Sequence, residues 1–429
     1  ENYRGVTKHA SYIMSPDRTV DTMRTAFSNL RNGRPGPVLI EVPDNVAKQE
    51  LSGFDYKPVT ANRSAANPDD VRDLVKALLA AKNPVIEAGQ GLMNAEATDD
   101  LIEFAELTGI PVFTTLAGKS GFPENHPLSL GCGARTATGM AHHCLMSTDF
   151  LLGIGTSFTK SVFGVPVPAG VTLAQVTNRG EDLHKDHPAD FGAVGDAKLV
   201  LRQMIEEAKS QGVKAFDGVA EMIVEQRAAW MGEWEHRLSS DETPMSPYRV
   251  FREVANAVDV SNTIVTHDSG YPRDQLVPFW QPITPRSYIG WGKSTQLGYG
   301  LGLALGAKMA RPDMNMINFM GDAAFGMAGL DIETATRNGI GMTTIVLNNG
   351  VMTGYAANYM PIGADTYRTH ELGGDYTMVA KGLGAHAERV STPDAIGDAV
   401  RRAMDANSTG QPALIEMMTK EEPNVSKFW

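Results

Sequence analysis

Gly321-Asp-Ala-Ala-Phe-Gly-Met327 and Met342-Thr-Thr-Ile-Val-Leu-Asn-Asn349 frame the stretch on which the reading of this chain turns. The apolar segment Asn315-Met-Ile-Asn-Phe-Met320 precedes it and reads as a buried strand, so Asp322 falls at that strand's C-terminal end. Residues Met327 to Arg337 predict a helix with Ala328, Ile332 and Ala335 facing inward. The β-branched run from Met342 to Leu347 predicts the next parallel strand, closed by Asn348 and Asn349. Two adjacent strands would then present a carboxylate and a carboxamide at one sheet edge, where open α/β sheets take their ligands. Such hard oxygen ligands suit Mg²⁺, which shares its sphere with phosphate and water. The small residues Gly321, Ala323 and Ala324 leave backbone N–H groups open at a helix N-terminus, where an anion is stabilised. The stretch therefore describes a metal–diphosphate site. Each half alone has a plainer reading, Asp322 as a helix cap and Asn348-Asn349 as a turn. The two halves together at this spacing favour the site.

On these residues the chain resembles the thiamine diphosphate enzymes of the acetolactate synthase, pyruvate oxidase and benzoylformate decarboxylase group, whose motif runs Gly-Asp-Gly, a spacer, then Asn-Asn. The resemblance implies thiamine diphosphate and Mg²⁺ as cofactors, with Asp322, Asn349 and the backbone carbonyl of Val351 as metal ligands. Ala323 stands where the motif has its last glycine. The role there is a backbone N–H, which alanine supplies at negative φ.

The 429 residues are enough for two or three domains, and a net charge of −12 argues against a nucleic-acid or anionic-membrane partner. No apolar run reaches transmembrane length. Cys132 and Cys144 are the two cysteines, which indicates no disulfide framework or zinc site and fits a reducing, cytoplasmic compartment. His142, His143 and Cys144 are consecutive, so they cannot all face one ion on regular structure.

The predicted fold class is α/β: a Rossmann-like central domain and a doubly wound parallel-sheet domain that binds thiamine diphosphate. Residues 1–50 contain a helix from Thr19 to Leu30 and a strand within Gly33 to Pro43. They resemble the tail of the family's pyrimidine-binding domain, the main part of which is expected upstream. The central domain is expected over 66–212, with strands at Pro84–Ala88, Ile110–Thr114 and Phe150–Ile154 alternating with helices at Pro68–Ala81 and Thr98–Thr108. It continues through Asp196-Ala-Lys-Leu-Val-Leu201 and a following helix. Gly89-Gln-Gly91 after a strand is a weak nucleotide signal without its third glycine. Gly118-Lys-Ser120 has Phe113 where a phosphate loop needs glycine. Flavin-binding relatives carry an arginine–aspartate segment that Gly155-Thr-Ser-Phe-Thr-Lys160 lacks, so FAD is not expected.

A helical connector over Lys214 to Thr243 leads to the diphosphate-binding domain, 246–429. There the strand Thr263–Thr266 ends in His267-Asp268-Ser269-Gly270. The family places a diphosphate-contacting segment here, and Asp268 and Gly270 match it. Tyr271 and Pro272 stand where glutamine and histidine are usual, and a simple turn is the plainer reading. Gly290 to Gly306 reads as a glycine-rich loop entering a packed helix. Its likeness to the family puts Gln296 and Leu297 against the cofactor, with Leu297 wedged beneath the thiazolium, as against ordinary core. Met352, Tyr355 and Tyr359 are candidates for the substrate pocket, though their spacing fits amphipathic packing equally.

By this resemblance the expected reaction is decarboxylation or carboligation of a 2-keto acid in an acetolactate synthase-like homodimer or homotetramer. The alternatives are a simple 2-keto acid or acyl-CoA decarboxylase and, from another class, a non-catalytic cofactor-binding scaffold. The family's activating glutamate belongs to the first domain and matches no glutamate here, so low activity of this chain alone is expected.

Overall fold

The computed structural model describes residues 2–290, 292, 295–353 and 359–429. Two six-stranded sheets, each wholly parallel, carry most of the chain. The first contains β3 (Pro84–Ala88), β4 (Val112–Thr114), β5 (Ser129–Cys132), β6 (Phe150–Ile154), β7 (Thr172–Thr177) and β8 (Phe191–Val194). Its order is β5-β4-β3-β6-β7-β8, so the chain reverses direction between β3 and β6. The second contains β9 (Thr263–His267), β10 (Tyr288–Ile289), β11 (Asn315–Gly321), β12 (Thr343–Asn348), β13 (His386–Val390) and β14 (Ala413–Met418). Its order is β10-β9-β11-β12-β14-β13, with the reversal between β9 and β11. Near the N-terminus, β1 (His9–Tyr12) pairs in parallel with β2 (Val38–Glu41), and the helix Thr19–Arg31 connects them.

Parallel strands are buried on both faces, so they read as continuous apolar runs. In β11, β12 and β14 alternate residues divide between two cores. Ile317, Phe319, Ile345, Leu347, Ile415 and Met417 enter one cluster, while Met316, Met320, Val346 and Leu414 enter the other. The first of these clusters also takes in Val85, Phe113, Leu151 and Leu173 of the other sheet. The helix Val219–Leu238 joins the two: Trp230 stacks on Phe279 with centroids 5.0 Å apart, and Trp234 meets the same ring at 5.1 Å. Among the described residues no helix is long and apolar enough to cross a membrane.

Several expectations need correction. The helix placed over Met327 to Arg337 is broken: one helix runs Asp322–Ala328, a 3₁₀ turn follows over Gly329–Asp331, and a second runs Ile332–Arg337. The backbone leaves helical geometry at Ala328, at φ −130 and ψ −2, while Gly329 keeps helical angles and packs where a Cβ would lie 2.6 Å from the Phe325 ring. Ile332 and Ala335 are buried as expected, while Ala328 is half-buried. The helix expected to follow Asp196-Ala-Lys-Leu-Val-Leu201 instead begins within that segment, directly after Asp196. The Asp196 side chain accepts the Lys198 N–H and caps the helix Ala197–Ser210, which contains the rest of the segment.

A candidate site at the edge of the second sheet

β9, β11 and β12 deliver their polar ends to one edge. In the parallel register His267 lies beside Phe319, and Gly321 lies beside Leu347. Asp268, Asp322, Asn348 and Asn349 therefore converge at the point where the strand order reverses, the crevice that such sheets offer to ligands.

Asp322 opens the helix Asp322–Ala328 and is buried. Its Oδ1 accepts the Ala323 N–H at 2.8 Å, and its Oδ2 accepts the Gly350 N–H at 2.9 Å. Burial pushes its carboxyl above the usual range, although these backbone donors pull the other way. No basic side chain forms an ion pair with it among the described residues. A carboxylate so placed has the chemistry to hold a cation. Asn349 donates to Thr353 Oγ1 at 3.0 Å and accepts the Val351 N–H at 3.1 Å, leaving a lone pair on its carbonyl oxygen. Gly350 has φ +72, a left-handed conformation that suits glycine and turns its N–H back to Asp322. Gly321, Ala323, Asn349, Val351 and Met352 are half-buried around this turn, and Ala324 is buried beneath it. Tyr355 lies outside the described residues. Tyr359 is exposed.

Sequence reasoning missed what holds Asn348. Its side-chain amide donates to Glu416 Oε1 at 2.7 Å, and Arg389 donates to both Glu416 oxygens at 3.0 and 3.2 Å. Glu416 is fully buried in β14. A charge inside the apolar run Ala413-Leu-Ile-Glu-Met417 was the available signal, since a buried carboxylate needs partners.

Asp268 is fully buried, and its carboxylate is committed to the protein's own backbone. It accepts N–H groups from Ser269 at 2.8 Å, from Gly298 at 3.1 and 3.0 Å, and from Gly300 at 3.1 Å. The strand end thus clamps the start of the helix Tyr299–Ala310. Leu297 immediately precedes the clamp and packs against the core, while Gln296 is exposed. Gly270, at φ +83, turns the chain into the short helix Tyr271–Leu276. Pro272 of that helix lies 3.7 Å from where a Cβ on Gly321 would stand, so this segment borders the turn at Asp322 directly.

A second feature was not legible. A cavity of about 1310 Å³ opens at the reversal point of the first sheet, with Gly89, Gly91, Gly155, Thr156, Asn178 and Asp196 among its lining. Gly89 and Gly91 answer first to packing here: a Cβ on Gly89 would lie 2.4 Å from the Gly155 carbonyl oxygen.

Comparison with known proteins agrees with this geometry. Residues 71–204 match the thiamine pyrophosphate enzyme central domain, and residues 268–417 match the C-terminal TPP binding domain of the same enzymes. The chain is 30% identical to a probable acetolactate synthase large subunit of Methanocaldococcus jannaschii, covering 96% of this chain and 71% of that protein. It is 27% identical to the glyoxylate carboligase of Escherichia coli O157:H7, over 98% of this chain and 74% of that one. In structure it is similar to benzoylformate decarboxylase from Polynucleobacter necessarius, with a TM-score of 0.76, 20% identity, and coverage of 97% and 77% of the two chains. With both family domains matched and a 30% identical relative aligned over 96% of this chain, the chain belongs to the thiamine pyrophosphate enzyme family.

Proposed function

We propose that this chain uses thiamine diphosphate and Mg²⁺ to decarboxylate a 2-keto acid and join the product to a second carbonyl compound. The reading is supported above all by the buried Asp322 carboxylate, tied to Gly350 across two adjacent strand ends and compensated by backbone N–H groups alone among the described residues. In this reading Asp322, the Asn349 carboxamide and the Val351 carbonyl hold the metal. Backbone N–H groups at Gly321, Ala324 and Gly270 face the diphosphate, while the Ala323 N–H holds Asp322 Oδ1 beside it. Asp268 contributes through the turn it clamps, Gln296 and Leu297 meet the cofactor's rings, and Met352 lines the substrate pocket. Bound thiamine diphosphate would supply the nucleophilic carbon and the electron sink that decarboxylation requires. The protein's part is to orient the 2-keto acid and keep water from the reacting carbon.

FAD has no place in this proposal: the reaction exchanges no net electrons, and Gly155–Lys160 carries no arginine–aspartate pair. Domain limits of 1–50, 66–212 and 246–429 accompany the reading. So does a homodimer or homotetramer, supported by Met327 and Leu330, which are 62% and 72% exposed beside the site.

Calorimetric titration with thiamine diphosphate, with and without Mg²⁺, tests the cofactor half. Binding that needs Mg²⁺ in the wild type and persists unchanged in Asp322→Ala would sink the metal assignment. Product analysis after feeding pyruvate tests the other half. Acetolactate supports the carboligating reading, whereas acetaldehyde without acetolactate would place the chain with the simple decarboxylases.

A further inference from the structure

His267 ends β9 fully buried, on a strand whose other residues need no titratable partner. Its Nδ1 lies 3.1 Å from Tyr299 Oη and 3.2 Å from the Asp268 carbonyl oxygen. A carbonyl only accepts, so the ring proton belongs on Nδ1 and Nε2 is bare. That bare nitrogen faces Gly290, where a Cβ would stand 1.8 Å away, and it has no hydrogen-bond partner among the described residues. A protonated Nε2 would leave a buried donor unpaired there, at greater cost.

The three residues Gly298, Tyr299 and Gly300 are thus held from two directions. Asp268 takes the N–H groups of the two glycines, and its neighbour His267 takes the side chain between them. On its other side His267 closes against Gly290, at the start of the same glycine-rich segment. The segment after β4 backs this arrangement through Tyr288 of β10. The His267 and Tyr288 rings are 5.4 Å apart, Lys119 Nζ stands 5.1 Å over the Tyr288 ring, and Ser120 Oγ accepts the Tyr288 N–H at 3.3 Å.

We propose that His267 is a positioning residue: by holding Tyr299 Oη and closing against Gly290 it fixes the Gly298–Gly300 turn, and with it the place of Leu297 at the ligand edge. This role in binding rests on the reading of Leu297 as a cofactor contact. His267 itself touches no cofactor.

The test compares the full chain with His267→Leu, Tyr299→Phe, their double variant and His267→Asn. Asparagine keeps a polar group near the Nδ1 position, leucine removes it, and Tyr299→Phe removes the other partner should the leucine variant fold poorly. The first readout is amide hydrogen exchange in the cofactor-free protein over Gly298–Gly300, with β14 as control. Loss of one buried hydrogen bond should speed exchange at the turn about tenfold in either single variant, with no further gain in the double. β14 should be unchanged, and His267→Asn should stay within about twofold of wild type. The second readout is calorimetric affinity for thiamine diphosphate with Mg²⁺, expected to weaken in the same variants and recover in His267→Asn. Unchanged exchange at the turn, with wild-type binding intact, overturns the role of His267 alone. Faster exchange at the turn, with a wild type that does not bind thiamine diphosphate, overturns the functional reading and the claim that this turn serves a cofactor.

Discussion

Gly350 donates its backbone N–H to Asp322 Oδ2 at 2.9 Å, tying the loop after β12 to the helix that begins after β11. One carboxylate therefore both organises the turn carrying Asn349 and offers the charge that a divalent cation would use. Asp322→Asn keeps the shape but removes the charge and one of the two acceptors, so its NH₂ must face either the Ala323 or the Gly350 N–H. It should leave the fold intact and weaken Mg²⁺-dependent cofactor binding by at least the roughly 10–100-fold typical of losing an outer-sphere partner. Calorimetry on the folded variant checks this, and undiminished affinity would refute it.

Gly300→Ala should destabilise the protein. The added Cβ would stand 2.7 Å from Asn318 Oδ1, 3.0 Å from the His267 carbonyl oxygen and 3.1 Å from Asp268 Oδ2. Two of these contacts belong to the clamp, and the third is a buried side chain held by Thr266 at 3.0 Å, so none can retreat cheaply. A loss of about 1–3 kcal/mol is expected from such overpacking. Denaturant unfolding measures it, and an unchanged midpoint would mean that the turn is looser than described.

Arg389→Met should cost more than Glu416→Gln. The first leaves a fully buried carboxylate with only the Asn348 amide as partner, while the second removes the buried charge itself. Breaking such a pair from one side costs about 3–5 kcal/mol in buried settings, and the partial exposure of Arg389 places this case at or below the lower end. Thermal unfolding of both variants decides the order, and equal losses would argue against the ion pair as Asn348's support.

His267 makes stability depend on pH in a defined window. Burial, with the Arg273 and Lys119 charges acting in the same direction, pushes its imidazole from the ordinary 6.5 down to about 3. Between those values the unfolded chain binds a proton that the folded chain does not. This contribution is therefore complete above about pH 6.5 and is lost as the pH falls toward 3. The slope it adds approaches about 1.4 kcal/mol per pH unit. Unfolding free energies of wild type and His267→Asn between pH 4 and 6 should diverge by that slope, and parallel curves would refute the prediction.

Legibility in the sequence followed the range of the interactions. β3, β6, β11 and β12 were readable because a strand buried on both faces is mostly a continuous apolar run, and helices such as Thr98–Thr108 because their apolar residues recur within a turn. β10, at two residues, and the half-buried β8 give neither signal. Asp322 and Asn349 were legible because each sits directly after a readable strand. Asp268 was legible as a position, but its side chain's use on Gly298 and Gly300 was not.

The sequence alone determined the class: parallel α/β units, with a carboxylate and a carboxamide at successive strand ends. These follow from side-chain type and local spacing, which folding does not alter. The tertiary structure decided which ends meet. Strand order is set by the pairing of segments far apart in the chain, and no local pattern encodes it. Placing β9 beside β11 brought His267 and Asp268 onto the Gly298–Gly300 turn, and placing β14 beside β12 put Glu416 under Asn348.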